Sequence, residues 1–474
     1  MATIVEKLGS FASETRFEDL PDHVVEESKR LLLDAVGCAL GGHSHSKGTI
    51  GIEFARRIGA GTAGAQATVL GTNERLSAVG AAFANAELTN ALDFDAILPP
   101  GHVSPYVIPG ALAESEARGG SGKDLLSAIA IGHEISYRIA KALDYLRDVK
   151  DGKISPPPVN GFSSTVFGAA AAIGKVKGYS PEMTASAIGI TGSMSPVNAQ
   201  WSWSVHSPTA SVKYAVAGAL VQAAMTGAWL AELGHTGDVQ LLDDPDCGWR
   251  RMIGSSRWAP EHITAELGTT WRFPAEQAYK PYPHCRILHA PLDALAEILE
   301  GNDIRPSEID GIKAWVEGFV MQPLWLNREI THVTQAQFSI AHGLSVGAHR
   351  IPPGKAWQSP EVVFDPSVLD LMDKIECAVH PDYETLLTSN AASRPTRIEV
   401  RARGKSFVAE RRYPKGSPSP DPATTMSNEE LAAKFARNAE GVISERNVDQ
   451  FINGLWKLES MVDVRELFRL VAKP

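Results

Sequence analysis

The sequence predicts a mostly α-helical protein: a large helical domain carrying a smaller α+β unit. Three observations lead there. Up to about residue 270, long alanine- and glycine-rich runs keep helical spacing. Beyond it, β-branched residues alternate or cluster in short runs. After a proline- and serine-rich stretch, "PKGSPSPDPATTMS", the pattern returns to helix. The boundaries expected from these changes are 1–270 for the first part of the helical domain, 271–414 for the α+β domain, and 415–474 for helices that rejoin the first part.

Taken in order, "DHVVEESKRLLLDAVGCALGG" carries apolar residues at helical spacing and stops at Gly41-Gly42. "GKDLLSAIAIGHEISYRIAKALDYL" and "SVKYAVAGALVQAAMTGAWLAEL" follow the same rule, and their small residues suit close helix packing. The second of these places Lys213 inside an apolar helix. "AQATVLGT" is a short strand. In the second region "IDGIKAWVEGFV" reads as a strand and "TRIEVRARGKSFVAERRYP" as a hairpin, with "HAPLDALAEILEG" and "AQFSIAHGLSVGA" helical between them.

Composition limits the function. At 474 residues the chain exceeds one ordinary core. A net charge of −10 argues against a nucleic-acid partner, while leaving room for a small anion that meets only a few local cations. Four scattered cysteines without a CxxC pair, and a charged N-terminus without a signal core, lead to the expectation of a cytoplasmic protein. No apolar run reaches the roughly 20 residues of a membrane helix, so no membrane partner is expected.

Two stretches imitate cofactor motifs. "GAGTAG" satisfies GxGxxG but follows a charged helical run and precedes a strand, the reverse of a dinucleotide fingerprint. "GGSGKD" has Ala117 in place of the first glycine of a phosphate loop and Asp124 in place of Ser/Thr. His43 and His45 lie on a glycine-flanked loop and read as solvated, and HExxH is absent. Neither a metal nor a cofactor is expected.

Three stretches remain. In "NALDFDAILPPGHVSP" a buried helix runs into Asp93 and Asp95 and is broken by Pro99-Pro100 before His102. Carboxylates at a helix C-terminus oppose the macrodipole, so they either serve turn backbone or line a site. With His102 they suit proton transfer near neutral pH. "AYKPYPHCRILHAPLDAL" crowds Lys280, Tyr282, His284, Cys285, Arg286 and His289 at the change of texture. "NAQWSWSVHSPTASVKYAVAG" offers Trp201, Trp203 and His206 before Lys213, whose ammonium either snorkels to the surface or meets an anion.

These stretches, with "LLLDAVGCALGG", "GAAAAIGKVKGYS" and "AQFSIAHGL" in the same order, resemble the MmgE/PrpD family. That family includes 2-methylcitrate dehydratase, cis-aconitate decarboxylase and iminodisuccinate epimerase. The resemblance implies a large helical domain with an α+β lid, a homodimer, no cofactor, and a small carboxylate as substrate. It puts the family's aspartate on Asp93, its histidine on His102 and its lysines on Lys213 and Lys280. Asp93, His102 and Lys213 become the expected catalytic residues. Lys280, Tyr282, Cys285, Arg286 and His206 become the expected substrate-binding residues.

The chain departs from the family pattern in four places. "NGFSSTVFGAAAA" has Asn160, Ser163 and Ser164 but no histidine, Ile97 stands where the decarboxylase branch has threonine, Cys285 stands where that branch has histidine, and "WSWSVHSPTAS" is unlike the familiar branches. These departures imply a changed substrate, less charged and more aromatic or apolar. From the family's common chemistry, proton movement next to a carboxylate, the expected reaction is a hydro-lyase step on a hydroxylated or unsaturated carboxylic acid. An isomerase or epimerase using the same carbanion-like intermediate, and a silent carboxylate-binding dimer, are the alternatives.

Overall fold

A computed structural model describes residues 2–59, 66–143, 149–150, 153–154, 161–196, 200–390 and 392–473. "GAGTAG", apart from Gly59, and Asn160 lie outside them, as does the side chain of Trp201. The architecture is mostly helical, with one four-stranded mixed sheet in the C-terminal half.

Helices that are apolar on every side must be buried on every side, as Ala78–Asn90 and Thr165–Lys177 nearly are along their lengths. The helices Asp22–Gly42, Ala78–Asn90, Ser104–Arg118, Gly122–Ala142 and Thr165–Lys177 share one hydrophobic core. Small residues allow their close approach: a Cβ at Gly168 would stand 2.1 Å from the Gly132 carbonyl oxygen of the neighbouring helix. The helix Asn428–Ala439 adds Leu431 and Phe435 to this core and packs on Asp22–Gly42.

The second core is built on the sheet, in the order Lys405–Arg411, Thr396–Ala402, Ile309–Val316, Ile375–Val379. Only the last pair is parallel. The expected hairpin is Thr396–Ala402 with Lys405–Arg411, turning at Arg403 and Gly404, both at positive φ. The helices His289–Gly301 and Ile340–Ala348 complete this core.

One local expectation fails. Lys213 is not in a helix; the helix starts at Ala217, and Lys213 lies in the preceding turn with φ of 56°. The reason is electrostatic: a buried ammonium needs acceptors, and helical carbonyls are already engaged within the helix. Among the described residues, no helix is long and apolar enough to cross a membrane.

Candidate active site

The Ala78–Asn90 helix begins with Ser77, whose Oγ accepts from the Gly80 amide, and it is buried along nearly its whole length. Its C-terminal end carries unpaired carbonyl groups with partial negative charge. Two lysines distant in sequence meet that end. Lys213 Nζ donates to the Asn90 carbonyl at 2.7 Å and lies 3.6 Å from Asp93 Oδ1. Lys280 Nζ donates to both the carbonyl (2.7 Å) and Oδ2 (2.8 Å) of Asp93. Asp93 has φ of 53°, a left-handed conformation tolerated by Asp, and presents its carbonyl and its carboxylate to the same ammonium. The opposition between carboxylate and macrodipole is thus resolved by imported positive charge.

The chain then forms a small hairpin, Ile97–Leu98 against Gly101–His102, with Pro99-Pro100 at the turn. It folds His102 back over the aspartates: Nδ1 is 2.6 Å from Asp95 Oδ2, and Nε2 is 3.6 Å from Asp93 Oδ1. A carboxylate only accepts, so Nδ1 carries the proton and Nε2 is left to exchange one. Asp93, Asp95, His102, Lys213 and Lys280 are all at most 2% exposed. Asp93 Oδ1 is buried with no hydrogen-bond partner among the described residues.

The charges of this cluster are interdependent. Burial would raise the Asp93 carboxyl, but Lys280, Lys213 and His102 outweigh it and hold it well below the usual carboxylate range. Asp95 also has burial opposed by His102, and its pKa is lowered. Burial pulls the Lys213 ammonium down to about 8, against the upward pull of Asp93. Asp93 is therefore an anchoring anion at neutral pH, and His102 is the group oriented to move a proton.

Tyr214, beside Lys213, aims its hydroxyl at Asp93 Oδ2 (3.4 Å) and at Cys285 Sγ (3.7 Å). Burial and the nearby Asp93 raise its pKa, and the same two causes raise that of the Cys285 thiol. Phe162 occupies the region where the family pattern places a histidine, its ring centroid 6.0 Å from that of His102 and 5.5 Å from that of Tyr214. Trp203 and Phe338 extend this aromatic wall from Tyr214. Trp203 donates its indole N–H to the Ala210 carbonyl, a packing role.

Other expected site residues lie elsewhere. The Tyr282 hydroxyl donates to Asp293, because a half-buried phenol takes a strong acceptor within its own core. His206 is exposed and pairs with Ser202. Arg286 donates to Ser417 and lines a surface cleft of about 470 Å³, together with Ile97, Lys141 and Arg394; the lining includes neither Asp93, Lys213 nor Lys280. His284 turns away from the cluster: its Nδ1 donates to the Gln337 carbonyl, and burial lowers its pKa to about 3. His43 and His45 bond separately, to the Leu70 carbonyl and to Thr334, so they form no chelating pair. Among the described residues, no group of three or more His, Cys, Asp or Glu could hold a metal ion.

Sequence reasoning passes over Tyr214, Gln337 and Gln358. Tyr214 has a visible signal, adjacency to a lysine in an apolar stretch; the glutamines have none, because their partners are backbone atoms far away in sequence.

The MmgE/PrpD N-terminal domain matches residues 6–261 and the MmgE/PrpD C-terminal domain residues 282–458, so the chain belongs to the MmgE/PrpD family. Similar along nearly their whole lengths are three relatives. The cis-aconitate decarboxylase-like protein oryM of Aspergillus oryzae is 25% identical over 99% of this chain and 97% of its own. The cis-aconitate decarboxylase of Aspergillus terreus is 26% identical over 99% and 96%. That of Mus musculus is 24% identical over 100% and 94%.

Proposed function

We propose that this protein is a lyase that acts on a carboxylic acid by moving a proton next to the substrate carboxylate. The observation that carries the proposal is the Asp95–His102 pair beside the Asp93 anion: one nitrogen of the imidazole is fixed, and the other faces the carboxylate that two buried ammonium groups hold. The family and the relatives named as cis-aconitate decarboxylases support it at the level of lyase chemistry.

In the hydro-lyase form, His102 Nε2 takes the proton from the carbon next to the carboxylate. The C–H electrons become the carbon–carbon double bond, the C–O bond breaks, and the departing hydroxide takes from His102 Nε2 the proton just removed from carbon, leaving as water and restoring the imidazole. Tyr214, held in its protonated form, supplies the hydrogen bond to the leaving oxygen. Lys280 directs two of its three N–H groups to Asp93, leaving one for the substrate carboxylate or the developing enolate. Cys285 borders this position through Tyr214.

A second reading is decarboxylation, in which the C–C bond to a carboxylate breaks and His102, as imidazolium, protonates the carbanion. The names of the relatives favour it, and so does the presence of a single oriented imidazole at Asp93. Substrate depletion, carbon dioxide release and ultraviolet absorption of a conjugated acid, followed together over a set of hydroxylated and unsaturated acids, separate the two. Depletion with conjugation and no carbon dioxide is the hydro-lyase outcome; stoichiometric carbon dioxide is the decarboxylase outcome. Turnover of a substrate by His102→Ala at the wild-type rate overturns both.

The homodimer implied by the family resemblance gains support from apolar exposure on the Ser46–Gly59 helix, where Ile50 is 61% and Phe54 42% exposed. Sedimentation of the wild type and of Ile50→Glu/Phe54→Glu tests it, with a dimer expected only for the wild type.

A further inference from the structure

The carbonyl groups of residues 90 to 94 are each met by a side chain from a distant part of the chain. Asn90 and Ala91 accept from Lys213, Asp93 from Lys280 and Phe94 from Lys434. Ala91 also accepts from Gln337 Nε2 at 2.8 Å, and Leu92 from Gln358 Nε2 at 2.7 Å. Asp34 pairs with Lys434 at 2.6 Å and accepts the Ala96 amide through its other oxygen, at 2.9 Å. The segment is held atom by atom rather than by helix or sheet.

The two glutamines differ from the lysines in what else they hold. Gln337 Nε2 donates to Gln358 Oε1, so the side chains form one unit. Gln358 Nε2 also donates to the Pro283 carbonyl at 2.6 Å, and the Gln337 backbone carbonyl accepts from the Cys285 amide at 3.0 Å. Both glutamines are buried and come from the chain that builds the second core. The unit thus joins Ala91 and Leu92, just before Asp93, to Pro283 and Cys285, just after Lys280.

We propose that Gln337 and Gln358 are positioning residues that register the Asp93 loop against the 280–285 segment, so that the Asp93 anion is correctly placed only when the sheet-bearing unit is seated on the helical core. The proposal rests on the role given above to Asp93. An amide suits this role physically, since it donates twice through one nitrogen to carbonyls on two segments and adds no charge next to the cluster. A carboxylate at either position would face carbonyl oxygens.

The test uses Gln358→Met, which keeps the shape and removes both donors, and Gln337→Met, which spares the Pro283 bond. The full-length protein carries ¹³Cε-lysine, and the Lys213 resonance is assigned by its loss in Lys213→Met. Burial acts most on Lys213 and lowers its pKa; Asp93 and Asp95 raise it, and Lys47 and Lys280 lower it further. If the loop loses register, Lys213 retreats from Asp93 and its titration midpoint falls, by about half a unit or more for a displacement of about 1 Å. Ser345→Ala is the control: it removes a buried bond to the Val368 carbonyl in the same core, away from the loop.

The expected result is a lowered Lys213 midpoint in both glutamine variants and none in the control. A midpoint equal to wild type in both glutamine variants, or an equal shift in Ser345→Ala, overturns the proposal. This readout needs no turnover, so it stands whether or not the lyase reading does. With a substrate in hand, kcat falls about tenfold or more while KM stays within about threefold, the pattern of a misplaced group rather than a lost binding contact.

Discussion

Replacing Lys213 by Met should change how the stability of the protein depends on alkaline pH. In the folded protein the ammonium is buried, and its pKa falls from the ordinary 10.5 to about 8. Below pH 8 both folded and unfolded chains hold the proton, and the fold contains a destabilising buried cation. Between 8 and 10.5 the unfolded chain still holds the proton while the folded chain has lost it, so stability rises with pH. At 1.36 kcal/mol per pH unit the full gain is about 3 kcal/mol, of which about 2 kcal/mol is reached by pH 9.5. Lys213→Met cannot make this gain. Its effect on Asp93 is nearly constant over the range, because Lys280 still holds that carboxylate ionised. The assay is urea unfolding followed by tryptophan fluorescence, for wild type and variant, at pH 7, 8, 9 and 9.5. The wild type should gain on the variant by about 2 kcal/mol over this series. Parallel curves would refute the placement of Lys213 as a desolvated ammonium.

Other outcomes follow from the same geometry. His102→Ala should slow turnover about a hundredfold or more, the usual size of general acid–base catalysis, measured with saturating substrate. Asp95→Asn should act on kcat with little change in KM, because it loosens the imidazole that it orients without touching the carboxylate site; an effect on KM alone would remove Asp95 from that role. On acidification, the lowered pKa values of Asp93 and Asp95 contribute stability that is present above their ordinary value of 3.8 and lost as pH falls through the folded values. Acid unfolding of Asp93→Asn should therefore be flatter than that of wild type below pH 4. Iodoacetamide at pH 8, with peptide mapping, should label exposed Cys247 and spare buried Cys38 and Cys285; fast labelling of Cys285 would mean the site is open.

Much of the fold is legible in the sequence. The Asp22–Gly42 helix is readable to the residue, because its apolar periodicity and glycine stop are local facts. The strand Ile309–Val316 and the hairpin over residues 396–411 are legible as elements, though the stretches read for them run on past their ends, to Val320 and Pro414. Lys213 reads as helical because its apolar neighbours continue into a real helix, and no local signal shows that its ammonium must reach Asn90 and Asp93. At the site, the proximity of Asp93, Asp95 and His102 is legible, since all three share one short loop. Convergence of Lys213 and Lys280 on that loop is carried by the family resemblance, whereas Tyr282, Arg286 and His206 are singled out by residue type and local crowding alone. Their types suit a carboxylate, and their side chains bond to Asp293, Ser417 and Ser202. The pair formed by Gln337 and Gln358 cannot be read at all, because its partners are carbonyl groups common to every residue.

The most direct test of the central claim is proton NMR of the purified protein in D₂O, with a panel of hydroxy-, methyl- and unsaturated di- and tricarboxylates, comparing wild type with His102→Ala. Appearance or loss of vinyl signals in at least one acid is predicted with wild type, and strong slowing in the variant. Deuterium entering an unchanged carbon skeleton, with no bond to carbon or oxygen broken in any acid, would contradict a lyase and make the protein an isomerase.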